Sequence, residues 1–350
     1  MREDGRASAA VTSFDVARHA GVSQSSVSLV LSGKDAGRVS PATAERIRQS
    51  VRALGYQLNA HARQLKTGRA DAVALAVPNV DQPYFARVLL AAQRVAHHNG
   101  YTVTLLDSSG ERSWADQLVR MIRGRQLDGA IVYAPTRSEL ASLSGALDSL
   151  VLVETRSPGA GLVDLDVEGG AELAVGHLVG LGHQRFVHFG AAYPRDTFRR
   201  RRTAVADTVA RLGGHLAPAS PTSTFDLDAA TRVADRLLAD LGTATAVVCD
   251  DDLLAAALIR ACRRRGIRVP EDLSVTGFGD VPLSRYVSPE LTTDRLPADA
   301  VGERAIAVLL ARIAASDDRS NGDPGAAGPP DAPLPVELVV RASTTVPRPG

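Results

Sequence analysis

The first 68 residues constrain this chain most, because their capping and turn residues predict three short helices in a fixed order. Thr12 stands at a helix N-cap position, and Asp15 lies in the first turn, where a carboxylate suits the positive end of the helix dipole. Gly21 can adopt the left-handed conformation that ends a helix. Ser23 is the next cap, and Ser40, followed by proline, begins a third helix.

The apolar positions of these helices fall on one side. Packing inward are Val16, Ala17, Ala20, Val27, Val30, Leu31, Ile47, Val51 and Leu54. Facing outward on the second helix are Gln24, Ser25, Ser28 and Leu29. Three short helices around a small core, with a tight turn between the first two, form the helix-turn-helix plan of DNA-binding domains. A small helical cap on a larger domain would have the same spacing.

Charge favours the DNA-binding alternative. Residues 1–68 hold ten Lys and Arg against five Asp and Glu, a net charge of +5. The remaining 282 residues hold 30 against 34, so the net +1 of the whole chain hides the asymmetry. A basic module on a mildly acidic body is typical of proteins that bind the phosphate backbone.

The same segment resembles the DNA-binding end of the lactose-repressor/galactose-repressor (LacI/GalR) family of bacterial transcriptional regulators. The matching residues are Asp15-Val16-Ala17, Ala20-Gly21-Val22-Ser23, Val27-Ser28, Val30-Leu31, Val39-Ser40, Leu54-Gly55-Tyr56, Asn59 and Ala62-Arg63-Gln64-Leu65. The resemblance continues through the body of the chain. It implies an all-α helix-turn-helix headpiece and an α/β effector domain of two lobes, like a periplasmic binding protein, with two Rossmann-like parallel sheets.

The resemblance also implies roles for single residues. Base edges in the major groove would be read by Gln24, Ser25 and Leu29. Phosphates would be contacted by Thr12, Ser23, Ser28 and Thr43. The hinge residues that act on DNA would be Asn59, Ala62 and Leu65. Leu65 would wedge into the central base step of the minor groove, although packing between domains is an alternative role for it.

Three departures from the family pattern concern DNA recognition. Leu29 is apolar where a polar or basic side chain is common, which predicts contact with a thymine methyl group. The loop Ser32–Arg38 is about two residues longer than usual, and Leu58 replaces a proline before the hinge. The hinge spans two helical turns, too short for a stable isolated helix, so we expect it to fold on DNA.

Beyond residue 70, short β-branched runs alternate with amphipathic helices, which predicts parallel sheets covered on both faces. The expected domains are a headpiece at 1–57, a hinge at 58–69 and an effector and dimerisation domain at 70–350. Lobe 1 is expected at about 70–165 and 295–318, and lobe 2 at about 166–294 and 336–345. The Gly-, Pro- and Asp-rich segment 316–335 is expected to be a flexible insertion.

Ligands of such sheets bind beyond the carboxyl ends of the strands, so we expect an effector in a cleft between the lobes. The residues predicted to contact it are Asp81, Tyr84, Phe85, Arg201, Asp252 and Phe278, of which Asp252 is the strongest candidate and Arg201 the second. Polar residues that follow other predicted strands include Asn79, Asp107, Glu154 and Asp251. Helix capping is an equally good explanation for each acidic residue at such a junction. Gly279 stands where the family has an aspartate.

Other classes of protein lack support in the sequence. No metal or cofactor is predicted, because the two cysteines and eight histidines lie in no ligand motif. No nucleophile-and-base set indicates an enzyme. Neither a signal peptide nor an apolar run of about 20 residues is found, so a cytoplasmic, nucleoid-associated location is expected. The expected partners are double-stranded operator DNA, a sugar-like small molecule and a second copy of the chain. A solute-binding protein of the same fold, or a regulator that answers to a protein partner, remains the alternative.

Overall fold

The computed structural model describes residues 11–31, 35–56, 69–109, 113–319 and 332–348. The chain divides into two compact units, residues 1–70 and 71–350. The hinge residues Asn59, Ala62 and Leu65, and with them the prediction that the hinge folds on DNA, lie outside the described residues.

The described part of the first unit consists of the helices α1 (Ser13–Ala20), α2 (Gln24–Leu31) and α3 (Pro41–Leu54). Thr12 and Asp15 form a capping box at the start of α1, and Gly21 ends this helix with φ 64°. Ser40 caps α3, and Gly55 ends it with φ 61°. The core between the helices is made by Val16, Ala17, Ala20, Val27, Val30, Ala44 and Ile47. The predicted helix-turn-helix is therefore present in the structure.

The second unit contains two sheets, and each forms the centre of one lobe. Lobe 1 has an all-parallel sheet in the order β2-β1-β3-β4-β5. Its strands are β1 (Ala72–Val77), β2 (Thr102–Asp107), β3 (Gly129–Tyr133), β4 (Leu150–Val153) and β5 (Gly161–Val163). Its helices are α4 (Pro83–His98), α5 (Ser113–Arg123) and α6 (Arg137–Leu143), followed by a 3-10 turn at Ser144–Ser149. Apolar residues of β1, β3 and β4 are buried on both faces of the sheet, as a doubly covered parallel sheet requires.

Lobe 2 has the strand order β12-β11-β10-β9-β6-β7, with β8 paired to β6. Its strands are β6 (Arg185–Ala191), β7 (His215–Leu216), β8 (Thr222–Ser223), β9 (Ala246–Cys249), β10 (Ser274–Gly279), β11 (Thr292–Arg295) and the antiparallel β12 (Glu337–Val339). Its helices are α7 (Val167–Gly180), α8 (Asp196–Arg211), α9 (Leu227–Ala239), α10 (Asp252–Arg264) and the short α11 (Leu283–Tyr286).

The last helix, α12 (Ala298–Arg319), follows a strand of lobe 2 but packs on α4 and on β3, β4 and β5 of lobe 1. The chain therefore crosses between the lobes after β5, before α12 and again before β12. Three segments of the chain therefore connect the two lobes.

The predicted flexible insertion at 316–335 is wrong at both ends. Helix α12 continues to Arg319, and Leu334 forms a parallel bridge with Leu165. Leu334 and Val336 are each 6% exposed and belong to the core that includes Phe278. Burial of these two apolar side chains holds the described residues 332–336 in place despite their proline-rich composition.

Candidate functional site

The outward side of α2 is polar and accessible. Gln24, Ser25 and Ser28 are exposed and Leu29 is half-buried, while Val27 and Val30 of the same helix are buried. The Gln24 side chain donates a 2.7 Å hydrogen bond to the Ser13 hydroxyl on α1. The four residues predicted to face outward therefore lie on one side of α2. The buried residues on the opposite side hold the helix in place.

The residues expected to contact phosphates lie at the starts of helices. Thr12 is exposed at the N-cap of α1. Ser23 is exposed before α2, and its hydroxyl accepts the Ser26 amide at 3.2 Å. Thr43, half-buried in the first turn of α3, accepts a 2.9 Å hydrogen bond from the Ser40 hydroxyl. Helix N-termini suit phosphate, because the dipole and the unpaired amides favour an anion there.

Most of the described arginines of the headpiece are held by neighbours. Arg18 pairs with Asp15 at 2.6 Å, and Arg48 pairs with Asp35 at 3.0 Å. Arg38, in the lengthened loop, is exposed and has no ion pair among the described residues. A phosphate could therefore approach its charge without breaking an ion pair to any residue that the structure describes.

A cavity of about 710 Å³, including its open mouth, lies between the two lobes of the second unit. The chain has only 14 aromatic residues, and seven of them line this cavity. They are Tyr84, Phe85, Tyr133, Tyr193, Phe198, Phe225 and Phe278. A concave site with a wall made largely of aromatic side chains is typical of sites for small molecules.

The rings form one cluster on each lobe. On lobe 1, Tyr84, Phe85 and Tyr133 meet edge to face, with ring centres 5.0–5.9 Å apart, and the two tyrosine hydroxyls hydrogen bond to each other. On lobe 2, Tyr193 lies 5.0 Å from Phe225 and 6.1 Å from Phe198. These spacings are those of favourable aromatic pairs, so the rings of each cluster stabilise one another's positions on the cavity wall.

Arg201 lies between two of these rings. Its guanidinium carbon is 4.7 Å from the ring centre of Phe198 and 4.0 Å from that of Phe278. Its Nη1 donates to the main-chain oxygen of Asp250 at 2.8 Å, whereas its buried Nε has no hydrogen-bond partner. Because Arg201 is only 6% exposed, a ligand in the cavity is the natural acceptor for that N–H.

Carboxylates from both lobes complete the polar part of the wall. Burial raises the pKa of Glu154, which follows β4, although Arg201 and Thr197 act in the opposite direction. Burial likewise raises the pKa of Asp251 to about 6. Burial would also raise the pKa of Asp250, but His188 and Arg201 outweigh it and keep the pKa below its ordinary value.

Two side chains join the lobes beside the cavity. Gln82, before α4, donates a 3.0 Å hydrogen bond to Asp251, before α10. Arg195, before α8, donates to the Ala134 main-chain oxygen at 2.5 Å and lies 3.5 Å from Glu139. The structure thus describes a closed arrangement of the lobes, with direct bonds between them.

The structure places two of the predicted ligand residues outside the cavity wall. Asp252 is fully buried outside the cavity wall, and its oxygens accept hydrogen bonds from the Thr293 hydroxyl at 2.5 Å and the Val281 amide at 2.9 Å. Asp81 is exposed and does not line the cavity. Asp252 thus has a structural role inside lobe 2, where it supplies hydrogen-bond acceptors to two donors, the Val281 amide and the Thr293 hydroxyl.

The other four predicted ligand residues, Tyr84, Phe85, Arg201 and Phe278, lie together on the cavity wall. Four further residues of the wall were not predicted from the sequence, namely Tyr133, Tyr193, Phe198 and Phe225. Tyr133 ends β3, so the rule that ligands bind at strand ends could have found it. The other three come from segments around α8 and β8 whose approach to the cleft depends on the tertiary fold.

Two family models match the chain. Residues 14–59 match the family described as bacterial regulatory proteins, lacI family, and residues 175–344 match a periplasmic binding protein-like domain. The repressor PurR of Vibrio cholerae is 30% identical over 310 residues, which cover 85% of this chain and 90% of the relative. The regulator GalS of Salmonella typhimurium is 30% identical over 315 residues, covering 88% and 92%. The chain belongs to the lacI family.

Solved structures agree with the lacI family fold. A LacI family regulator from Mycobacterium smegmatis covers 79% of this chain and 100% of its own, with 28% identity and a TM-score of 0.67. The complex of the regulator CelR with cellobiose covers 95% and 99%, with 25% identity and a TM-score of 0.68. The lac repressor dimer bound to its operator superposes with a TM-score of 0.83 at 24% identity, which supports the fold.

Membrane-spanning helices and metal-binding clusters are both absent from the part of the chain that the structure describes. None of the described helices is both long and apolar enough to cross a membrane. Within the same residues, His, Cys, Asp and Glu side chains form no group of three or more that could hold a metal ion. The relatives named above are transcriptional regulators.

Proposed function

We propose that this chain is a repressor that binds a palindromic operator as a homodimer and changes its affinity when a small molecule occupies the cavity. The observation that carries the proposal is Arg201, a buried cation with an unsatisfied N–H on the wall of a cavity shared by both lobes. The headpiece on the same chain presents Gln24, Ser25 and Leu29 on one side of a helix. The cellobiose complex of CelR supports a small-molecule effector.

The cavity can couple ligand binding to movement of the lobes. Its wall draws residues from both lobes, so a ligand that contacts both binds the closed arrangement better than an open one. The bonds from Gln82 to Asp251 and from Arg195 to Ala134 join the two lobes, so separation of the lobes would break them. A difference of about 1–3 kcal/mol between the two arrangements would change operator affinity roughly 5–150-fold.

The hinge links this movement to DNA along the chain, because it directly precedes β1 of lobe 1. We propose that Leu65 enters the minor groove at the centre of the operator, as the family resemblance implies. A Leu65→Ala variant should then bind its operator at least tenfold more weakly, with an unchanged thermal transition of the effector domain. An unaltered operator affinity would remove Leu65 from this role.

The test of the function is genome-wide footprinting with the full-length protein, followed by salt titration of the captured sites. Expected are protected palindromes, and an affinity whose logarithm falls with log salt by about 0.9 per phosphate neutralised. Protection without symmetry, or an affinity independent of salt, would contradict the proposal. Sites that the protein protects can then be screened for small molecules that release or strengthen binding.

A further inference from the structure

Two of the three segments that connect the lobes are bonded to each other. The first crossing runs from β5 to α7 at residues 164–166, and the third crossing precedes β12 at residues 332–336. The Leu334 amide donates to the main-chain oxygen of Asp164 at 2.9 Å, and the Asp166 amide donates to the main-chain oxygen of Leu334 at 2.9 Å. The first and third crossings therefore form one hydrogen-bonded unit.

Arg200, on α8 of lobe 2, fastens the first crossing to that lobe. Its Nη1 donates to the Asp164 carboxylate at 2.9 Å, and its Nη2 donates to the main-chain oxygen of Leu165 at 3.3 Å. Its Nε and Nη2 donate to the two carboxylate oxygens of Glu168, on α7, at 2.6 Å and 2.7 Å. One guanidinium thus joins α8, α7 and the first crossing through four hydrogen bonds.

The corresponding bond to lobe 1 is much more exposed to water. Arg156, which follows β4, donates to the second oxygen of Asp164 at 3.2 Å. The Arg156 side chain is 75% exposed, whereas that of Arg200 is 17% exposed. An exposed ion pair contributes little to stability, whereas a shielded guanidinium forms strong charge-assisted bonds with carboxylates. The first crossing is therefore held more firmly to lobe 2 than to lobe 1.

The residue just before each attachment is bonded to lobe 1 instead. The main-chain oxygen of Val163, the last residue of β5, accepts from the Glu154 amide at 3.0 Å. The main-chain oxygen of Ala332 accepts from the Arg304 side chain, on α12, at 3.1 Å. The attachment of the chain thus changes from lobe 1 to lobe 2 directly after Val163 in the first crossing and after Ala332 in the third.

Arg200 is also the neighbour of a residue on the cavity wall, Arg201. The two side chains leave α8 toward different partners, because Arg201 donates to the main-chain oxygen of Asp250 and Arg200 donates to the first crossing. A ligand that displaces Arg201 and α8 would therefore pull on the first crossing through Arg200. The third crossing would follow, since Leu334 is bonded to the first.

We propose that Arg200 is a positioning residue for the effector response: it makes the first and third crossings part of lobe 2, so that the chain bends after Val163 and after Ala332 when the lobes move. The proposal rests on the function proposed above, in which movement of the lobes carries that response. Leu165 and Leu334 also pack in an apolar core that contains residues of both lobes. Apolar contacts are not directional, so the bonds to Arg200 decide which lobe the crossings follow.

The first test measures the distance between the lobes of the full-length protein by pulsed electron paramagnetic resonance. Spin labels are attached at Asp81→Cys on lobe 1 and Asp228→Cys on lobe 2, both exposed positions, while the natural cysteines are buried. Arg200→Met should widen the distance distribution of the ligand-free protein about 1.5-fold. Arg199→Met is the matched control, because Arg199 pairs with Asp196 of the same helix. Equal widths in the two variants would overturn the proposal.

Amide hydrogen exchange locates the bending points. Arg200→Met should speed exchange of the Asp166 and Leu334 amides about tenfold more than that of the Val248 amide in β9. Arg156→Met should leave all three rates unchanged, because the bond that it removes is exposed. An equal increase at all three amides would make Arg200 a contributor to overall stability only, and would contradict the proposal. So would an equal effect of Arg156→Met and Arg200→Met.

Arg200→Lys keeps the charge and replaces Arg200→Met in both tests if the methionine variant does not fold. A lysine lacks the planar fork that reaches Asp164, Leu165 and Glu168 at once. Arg200→Lys should therefore widen the distance distribution and speed exchange at Leu334, by less than Arg200→Met. A natural width and a natural exchange rate in Arg200→Lys would show that the four bonds do not position the crossings.

Operator binding of the same preparations separates this proposal from the proposed function. Arg200→Met should change the operator affinity of the ligand-free protein by about threefold or more, and Arg199→Met should not. An unchanged affinity in Arg200→Met, with a widened distance distribution, would remove Arg200 from the effector response and leave the proposed function standing. If no symmetric DNA site is found although Arg200→Met widens the distribution, the proposed function fails and the bending points stand.

Discussion

The side-chain amide of Gln82 donates a 3.0 Å hydrogen bond to Asp251, and this bond joins lobe 1 to lobe 2 beside the cavity. Gln82→Ala should lower the free energy of unfolding of the effector domain by about 0.5–1.5 kcal/mol, the usual worth of one hydrogen bond. It should also increase the radius of gyration of the ligand-free protein, measured by X-ray scattering. Gln184→Ala is the control, because Gln184 is exposed and only its main chain forms a hydrogen bond. If the two variants have the same free energy of unfolding and the same radius of gyration, the bond between Gln82 and Asp251 does not hold the lobes together.

We expect the stability of the folded protein to depend on pH through the buried carboxyl group of Asp252. Burial raises its pKa to about 7, with a further contribution from Asp251. Between the ordinary pKa of 3.8 and about 7, the folded state therefore binds more protons than the unfolded state. Stability from this group falls as the pH rises through that range. Asp252→Asn has the shape of the protonated form, and it can accept from Val281 while it donates to Thr293.

The expected result is that Asp252→Asn is more stable than the natural chain at pH 8, and that this advantage becomes smaller as the pH is lowered to 5. Thermal unfolding at both pH values checks this difference, in which titrating groups far from Asp252 cancel. Asp252→Ala should lose about 1–3 kcal/mol at both values, because the Val281 amide is left without its partner. If Asp252→Asn and Asp252→Ala lose the same amount of stability at both pH values, the ionised carboxylate is the stabilising form.

A close approach of two helices makes Gly302 sensitive to substitution. A Cβ atom there would overlap the main-chain oxygen of Val88 and lie 2.8 Å from the Ala91 side chain. Gly302→Ala should therefore force α12 away from α4 and lower stability by about 1–3 kcal/mol, measured by denaturant unfolding.

Gly176 is the matched control for Gly302, because it also lies in a helix but has nothing within 4 Å of its absent Cβ. Gly176→Ala should raise stability by about 0.5–1 kcal/mol, since alanine restricts the unfolded chain and favours the helix. A loss of stability in both variants would mean that helix packing is not the cause of the effect at Gly302.

Gln24 is expected to distinguish operator from other DNA. Its side chain donates to Ser13 in the free protein and must exchange this bond for a base edge. Gln24→Ala should cost about 1–3 kcal/mol of specific affinity and leave non-specific binding unchanged. Gln49→Ala, at an exposed position of α3, is the control in the same gel-shift assay. A uniform loss for operator and random DNA would assign Gln24 to the phosphate backbone instead.

Local signals in the sequence predicted the headpiece well. Thr12, Gly21, Ser40 and Gly55 stand at helix boundaries because caps depend on neighbouring residues alone. Many strands of the body were equally clear, since buried parallel strands are short apolar runs. The short helix α6 was not predicted, although Thr136 and Glu139 form a capping box at its start.

The ligand cavity was predicted only in part. Strand-end reasoning found Tyr84, Phe85 and Phe278, but it placed Asp252 on the wall and missed Phe225. Which of two adjacent carboxylates faces a cleft depends on the rotation of α10, and the sequence does not encode that rotation locally. The burial of residues in 332–336 was not predicted either. The segment is rich in proline, and its two apolar side chains, which pack in the core, form no recognisable pattern.

Adjacent residues Asp251 and Asp252 have opposite relationships to movement of the lobes. Asp251 holds the Leu253 amide within α10 and Gln82 across the cleft, whereas both bonds of Asp252 remain inside lobe 2. Separation of the lobes would therefore change the surroundings of one carboxylate and leave those of its neighbour intact. In nuclear magnetic resonance, the Leu253 amide should report the position of the lobes, and the Val281 amide should serve as its internal reference. Of two adjacent aspartates, one therefore responds to the position of the lobes and the other does not.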